Sequence, residues 1–228
     1  MVKKNITGVI IQARFNSKRF PGKILKKIKS KTIIEILIKR LKTSKKIDKI
    51  VVACTKNPAD KKIIDICKKN KINFYVGSED NVLSRFYNTA KKFNISNIVR
   101  ITSDCPLVDG SLVDELLNKY KKKKCDYASN VIYPTFPDGL DVEVFNFNAL
   151  RDRYLKNINN EEKEHVTVNL KNNKNYKRFN LELEKNFSKI RITLDNNYDL
   201  YIIDKLFKKF NYNFKVNYKK IIKLCENN

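Results

Sequence analysis

The stretch TGVIIQARFNSKRFPGK (Thr7–Lys23) decides how the chain reads. Thr7–Ala13 is an almost unbroken apolar run, as expected of a parallel strand buried on both faces. The character changes at Arg14. Arg14, Ser17, Arg19, Gly22 and Lys23 bring cations, a small hydroxyl and a glycine into one loop at the strand's end. Such a loop suits an oligophosphate, which needs positive charge, hydroxyl donors and backbone N–H groups that a glycine lets come close. A solvated basic turn is the competing reading in so lysine-rich a chain.

Outward from this stretch, strands and helices alternate. Ile33, Ile34, Leu37, Ile38 and Leu41 recur at helical spacing behind Thr32, a suitable N-cap. Lys49–Cys54 predicts a second strand, and Asn57-Pro58 opens a helix reaching about Asn70. Asn73–Val76 predicts a third strand closed by Gly77. Val82, Leu83, Phe86, Tyr87, Ala90 and Phe93 mark the next helix. Asn97–Ile101 is the fourth strand, followed by a helix marked by Leu112, Val113, Leu116, Leu117 and Tyr120. This order predicts a three-layer α/β/α fold on a mostly parallel, doubly wound sheet. Ligands of such sheets bind beyond the carboxyl ends of the strands, where both Arg14–Lys23 and Thr102–Asp109 begin.

The second half is less regular. Pro134, Pro137 and Gly139 mark a long loop, and Asp141–Phe145 alternates as a half-exposed strand. A single helix is expected over Glu161–Lys171, short strands near Arg178–Leu183 and Ile190–Leu194, and a helix from about Asn197 to Phe210. The whole reads as one domain, 1–228, with 130–195 as an insertion within it.

Composition removes several classes. The chain has 228 residues and is 42% hydrophobic, enough for a full core. No apolar run approaches the roughly 18 residues that span a bilayer. The opening run is interrupted by Gln12 and closed by Arg14 with no cleavage-type site, so a cytoplasmic location and no membrane partner are expected. Five cysteines lie singly beside one histidine, which argues against a zinc site or a disulfide framework. Lys and Arg number 49 against 24 Asp and Glu, a net charge of +25. The lysines are spread along every helix, so no specific nucleic-acid partner is expected. A nucleic-acid-binding module remains an alternative. GxxxxGK[ST] and GxGxxG are both absent, as is the GxSxG of serine hydrolases.

The motif R-x-x-S-x-R-x-P-G-K, carried by Arg14, Ser17, Arg19, Pro21, Gly22 and Lys23, resembles the opening of the cytidylyltransferase family that activates acidic sugars. The resemblance recurs in order through Val76–Phe86, Arg100–Asp109, Phe136–Phe145, Glu164–Thr167 and Arg191–Leu200. It looks most like the SpsF-type branch, named for spore-coat polysaccharide synthesis; other branches make CMP-sialic acid and CMP-KDO. Phe15 and Asn16 stand where relatives often have Met and Gly, and Asn196-Asn197-Tyr198 replaces a Thr-Pro-Glu centre.

The resemblance implies a nucleotide-diphospho-sugar-transferase-like (GT-A-like) fold. It implies transfer of CMP from CTP to a small sugar or polyol with release of pyrophosphate, and a homodimer. Ala13, Arg14, Ser17, Arg19, Gly22, Lys23, Asp80, Arg85, Thr102 and Asp104 would face the nucleotide, with Arg14, Lys23 and Asp104 catalytic. Mg²⁺ would sit on Asp104 and Asp195; the bland alternatives are helix caps. Asp199 reads as structural. Asp138, Asp141, Glu143 and His165 would line the acceptor pocket, against a charged strand face and a surface histidine as alternatives. A nucleotide-sugar-dependent glycosyltransferase on a similar sheet is the remaining rival. It normally carries a D-x-D metal motif, which Asp104-Cys105-Pro106 is not and which Asp141-Val142-Glu143 only loosely imitates.

Overall fold

A computed structural model describes residues 5–156 and 158–226. The strands are β1 (Ile6–Gln12), β2 (Lys27–Ile28), β3 (Lys31–Thr32), β4 (Lys49–Thr55), β5 (Asn73–Gly77), β6 (Ile95–Thr102), β7 (Tyr127–Ser129), β8 (Glu143–Asn146) and β9 (Arg178–Asn180). The helices are α1 (Ile33–Leu41), α2 (Lys61–Lys69), α3 (Val82–Lys92), α4 (Gly110–Lys123), α5 (Phe147–Tyr154), α6 (Asn160–Glu164), α7 (Val168–Asn172), α8 (Asn197–Lys209) and α9 (Tyr218–Glu226). Seven strands form one sheet in the order β5-β4-β1-β6-β8-β7-β9, and β2 and β3 form a small separate ribbon.

The expected doubly wound core is present. β5, β4, β1 and β6 are parallel, and β8 joins β6 antiparallel. Period-two alternation sorts the strand residues between two apolar layers. Val9, Ile11, Val99 and Ile101 pack on one face with α1 and α4, while Ile10 and Ile98 pack on the other with α3 and α5. Gln12 pairs with both Ala53 and Thr102, so β1 and β6 end level and β4 runs two residues further, to Thr55. The loops after them therefore rise from one edge.

Local signals set the helix starts. Thr32 and Glu35 form a capping box on α1, and Asn196 and Asp199 form one on α8. Asp109 caps α4 through Leu112 N–H. These assignments remove the capping alternatives for Asp104 and Asp195, since other residues do that work.

The second half departs from expectation in two places. Glu161–Lys171 is not one helix but α6 and α7, broken at His165–Thr167. There Thr167 turns inward and donates its hydroxyl to Glu143, which a straight helix would not allow. Ile190–Leu194 is not a strand of the sheet. It is an extended segment with a single bridge, Asp138 to Arg191. The 130–195 segment also supplies β8 and β9 to the central sheet.

Arg40 ties the chain's far end to this frame. Its fully buried guanidinium donates to the carbonyls of Phe214 and Val216 (2.9 Å each) and Leu107 (2.7 Å). Burial lowers its pKa to about 10, against the pull of Asp109. Three carbonyls would lose their donor at once in Arg40→Met. That variant is expected to lose about 3–5 kcal/mol of stability, read as a lower urea midpoint at an unchanged m-value. A midpoint equal to wild type would show that those carbonyls find other donors.

Candidate active site

The loop after β1 folds back on itself. The Phe15 carbonyl accepts from both Ser17 N–H and Gly22 N–H, 2.8 Å each. Phe15 N–H donates to Asp60 (2.6 Å), whose other oxygen is held by the N–H and hydroxyl of Thr55 at the end of β4. Gly22 has φ +68°, and a Cβ there would come within 3.0 Å of the Phe15 ring, so the turn needs glycine. Past Gly22 the chain dives inward and carries Lys23 under the loop.

The loop and the segment after β6 enclose a cleft of about 240 Å³. Arg14, Ser17, Lys18 and Arg19 line one side and Thr102, Ser103 and Asp104 the other, with Gln12 at its floor. A larger hollow of about 790 Å³ beside α8 and α9 is mostly apolar and brings no acids or hydroxyls together. Chemistry therefore points to the smaller cleft.

At the base of the cleft, charge is concentrated. Lys23 Nζ donates to Asp104 Oδ2 (2.9 Å), Asp195 Oδ1 (2.8 Å) and the Leu194 carbonyl (2.8 Å). Asp195 also receives Arg19 (2.8 Å) and Arg191 (2.5 Å). Burial alone would raise the Asp195 carboxyl, but the hydrogen bonds and charges of Lys23, Arg191 and Arg19 outweigh it and hold it below its ordinary value. Asp199 accepts from Asp195 N–H (2.7 Å) and Asn196 N–H (3.1 Å), a backbone-holding role. The two acids differ in access: the Asp104 side chain is 28% exposed and that of Asp195 only 7%.

The two predicted metal carboxylates thus converge on one cationic position, which is the donor chemistry an Mg²⁺ ion seeks. Among the described residues, no three His, Cys, Asp or Glu side chains form a metal cage. Hard, water-retaining Mg²⁺ commonly binds through one or two carboxylates plus phosphate oxygens, and this pair fits that pattern.

The other expected site residues divide. Arg14, Ser17, Arg19, Thr102 and Asp104 line the cleft. Ala13 is buried and donates its N–H to the Ala53 carbonyl, fixing where the loop begins. Asp80 is exposed just before α3, which Asn81 caps. Arg85 does not face the cleft. It is buried, donates to the Ser78 and Glu79 carbonyls, and leaves Nε and one terminal nitrogen unpartnered. Burial and the nearby charge of Arg14 lower its pKa to about 10.

Of the residues expected to line an acceptor pocket, Asp138 pairs with Arg191 (2.8 Å), and the segment crosses so close to Thr193 that only glycine fits at position 139. Glu143 is not a pocket acid but a core ion. It pairs with Arg100 (2.6 Å) and accepts from Tyr127 (3.0 Å) and Thr167 (2.9 Å). Arg100 in turn reaches Gln12 at 3.3 Å. His165 stands exposed at the end of α6, away from the residues that line the cleft; Thr167, two residues on, is the buried member of that motif. Sequence reasoning passed over Arg191, Arg100 and Gln12. Arg191's spacing of four residues before Asp195 was its one visible signal. Cys105 is buried, and burial together with Asp141 and Asp104 raises its thiol well above the ordinary value, which keeps it protonated.

A mostly parallel α/β sheet with a basic loop and an acidic strand end meeting over its carboxyl edge is the arrangement a nucleotidyltransferase needs. The comparisons carry this further. A family model described as cytidylyltransferase matches residues 8–228. The chain belongs to the cytidylyltransferase family. It is 38% identical over 168 residues (73% of this chain, 67% of the relative) to an uncharacterised protein of Methanocaldococcus jannaschii. It is 31% identical over 168 residues (72% and 69%) to the Bacillus subtilis spore coat polysaccharide biosynthesis protein SpsF. Its fold superposes on a cytidylyltransferase from Leptospira borgpetersenii with a TM-score of 0.93 at 30% identity, covering 98% of this chain and 94% of that one. CMP:2-keto-3-deoxy-manno-octonic acid synthetase complexed with CTP shares the fold (TM-score 0.68, 14% identity, 90% and 99% covered).

Asp141 makes the site's cost measurable. Burial, and then the charge of Asp138, raises its carboxyl from 3.8 to about 6. An acid whose folded pKa is raised loses stability as pH climbs from its unfolded to its folded pKa, because ionising it in the fold is unfavourable. Stability is therefore expected to fall between pH 3.8 and about 6 through this group. Asp141→Asn should flatten that slope and exceed wild type in urea midpoint at pH 7. Parallel wild-type and variant curves would remove Asp141 as its source.

Proposed function

We propose that the enzyme transfers CMP from CTP to a small hydroxyl-bearing acceptor, an acidic or phosphorylated sugar or polyol, for surface polysaccharide or glycoconjugate synthesis in the cytoplasm. The observation that carries the reading is the meeting of Arg14, Lys18 and Arg19 with Asp104 across one cleft. Family membership supports CTP as the donor.

An acceptor oxygen attacks the α-phosphorus, the bond to the β-phosphate oxygen breaks in line, and pyrophosphate leaves. This asks little covalent chemistry of the protein, which positions the reactants and neutralises charge. Arg14, Lys18 and Arg19 would hold the β- and γ-phosphates, with Ser17 and the loop's N–H groups beside them. Asp104, with Asp195, would hold Mg²⁺, which when bound supplies charge neutralisation at the α-phosphate. Asp138 and Asp141 would offer acceptors to the sugar's hydroxyls at the cleft's other end. Exposed Tyr133 and Leu155 in the second half suit a homodimer contact.

The test is a pyrophosphate-release screen of the four NTPs against keto-acid sugars and sugar phosphates. Release with CTP and one acceptor class is expected, and Asp104→Asn should cut it by at least about a hundredfold while the protein stays folded. No pyrophosphate from any NTP would favour the glycosyltransferase alternative instead.

A further inference from the structure

A lysine ammonium carries three N–H donors. In Lys23 all three are spent, on Asp104 Oδ2, Asp195 Oδ1 and the Leu194 carbonyl, at 2.9, 2.8 and 2.8 Å. None is left for a phosphate. The expectation that Lys23 faces the nucleotide with a free ammonium therefore does not describe the nucleotide-free protein.

Lys23 Nζ sits between the two carboxylates that the nucleotidyl-transfer reading gives to the metal. Arg19 shares Asp195 Oδ1 with it, and Arg191 takes Asp195 Oδ2. A free divalent cation would have to enter a pocket that already holds an ammonium and two guanidiniums. It would meet repulsion from all three and find both Asp195 oxygens already paired with cations. A metal–triphosphate complex meets a different balance. It is a net anion, so the basic loop attracts it. Its phosphate oxygens also offer Lys23 and Arg19 new acceptors in exchange for the carboxylates they give up.

We infer that Lys23 is a stand-in for the divalent cation, so that the site takes up the metal–nucleotide complex as a unit and rejects free metal. Arriving phosphates draw the ammonium away from Asp104 and Asp195 as the metal is delivered to them. Lys23 thereby keeps buried Asp195 and half-buried Asp104 neutralised between turnovers and sets the order of binding. The inference rests on the proposed metal role of Asp104 and Asp195.

Mn²⁺ binding, followed by the loss of its free-ion EPR signal beyond that caused by CTP alone in a protein-free control, tests this without any acceptor. Wild type should bind Mn²⁺ at least about tenfold more tightly with CTP present than without it. Lys23→Met should gain a nucleotide-independent Mn²⁺ site, and adding Asp104→Asn to that variant should abolish it. Equal Mn²⁺ affinity with and without CTP in wild type would overturn the stand-in role. So would a Lys23→Met protein, folded by circular dichroism, that gains no site. Should Lys23→Met not fold, the wild-type comparison decides alone. A wild type that binds CTP in calorimetry yet holds no Mn²⁺ in either condition would instead sink the metal reading itself, and the stand-in with it.

Discussion

The Lys23 ammonium is the point on which the rest of the site depends. Its bonds join positions 81, 171 and 172 residues away, so three remote parts of the chain are fixed by one group. They are the loop after β1, the strand end of β6 and the extended Ile190–Asp195 segment. A charge pair at about 4 Å is worth roughly 4 kcal/mol at the effective dielectric of a protein's surface region. Several such pairs share this small volume. Asp195 alone faces Arg19, Lys23 and Arg191, and Arg191 carries the linkage on to Asp138. The loop that carries Asp138 and the loop from Arg14 to Lys23 are thereby parts of one charge network.

A second network underlies the floor. Glu143 on β8 gathers Arg100, Tyr127 and Thr167, and Arg100 reaches across to Gln12 on β1. A buried pair of this kind is a poor source of stability, because desolvation offsets most of the attraction. It is a good source of geometry. It fixes the height of Gln12 in the cleft relative to the His165–Thr167 break, which no apolar contact between such distant segments would do as sharply.

The parallel half of the fold was legible because its signals are local. The apolar run before Arg14, the caps Thr32 and Asp109, and the breaker Gly77 each act within a few residues. That Arg14, Ser17, Thr102 and Asp104 would come together was legible because doubly wound sheets place loops of that position side by side, and they line one cleft. What escaped were residues whose roles are set by distant partners. Glu143 alternates like a half-exposed strand residue, and only Arg100, directly opposite in register, turns it into a core ion. The periodicity of Glu161–Lys171 continues through His165, but the helix is broken at His165–Thr167, where Thr167 donates to the distant Glu143. Ile190–Leu194 has strand-like residues, yet its backbone is engaged by Asp138 and Asp104 instead of a sheet neighbour.

Lysine abundance hid the burial of Lys23, though not its place in the loop motif. In so lysine-rich a chain a lysine is expected to keep its ammonium in solvent, and almost all of them do. The buried cations among the described residues are Arg40, Arg85, Arg153 and a single lysine, Lys23. Arginine is the expected choice for burial, since its guanidinium is more weakly hydrated and its fork is rigid. Arg40 uses it so, gripping three carbonyls that have no reason ever to let go. A compact ammonium on a flexible stem is costlier to desolvate but easier to move, and its size and charge resemble those of a metal ion more than a planar fork does. The exception to the chain's own rule for burying charge thus falls at the position where, under the stand-in role inferred for Lys23, a cation is exchanged and not merely held.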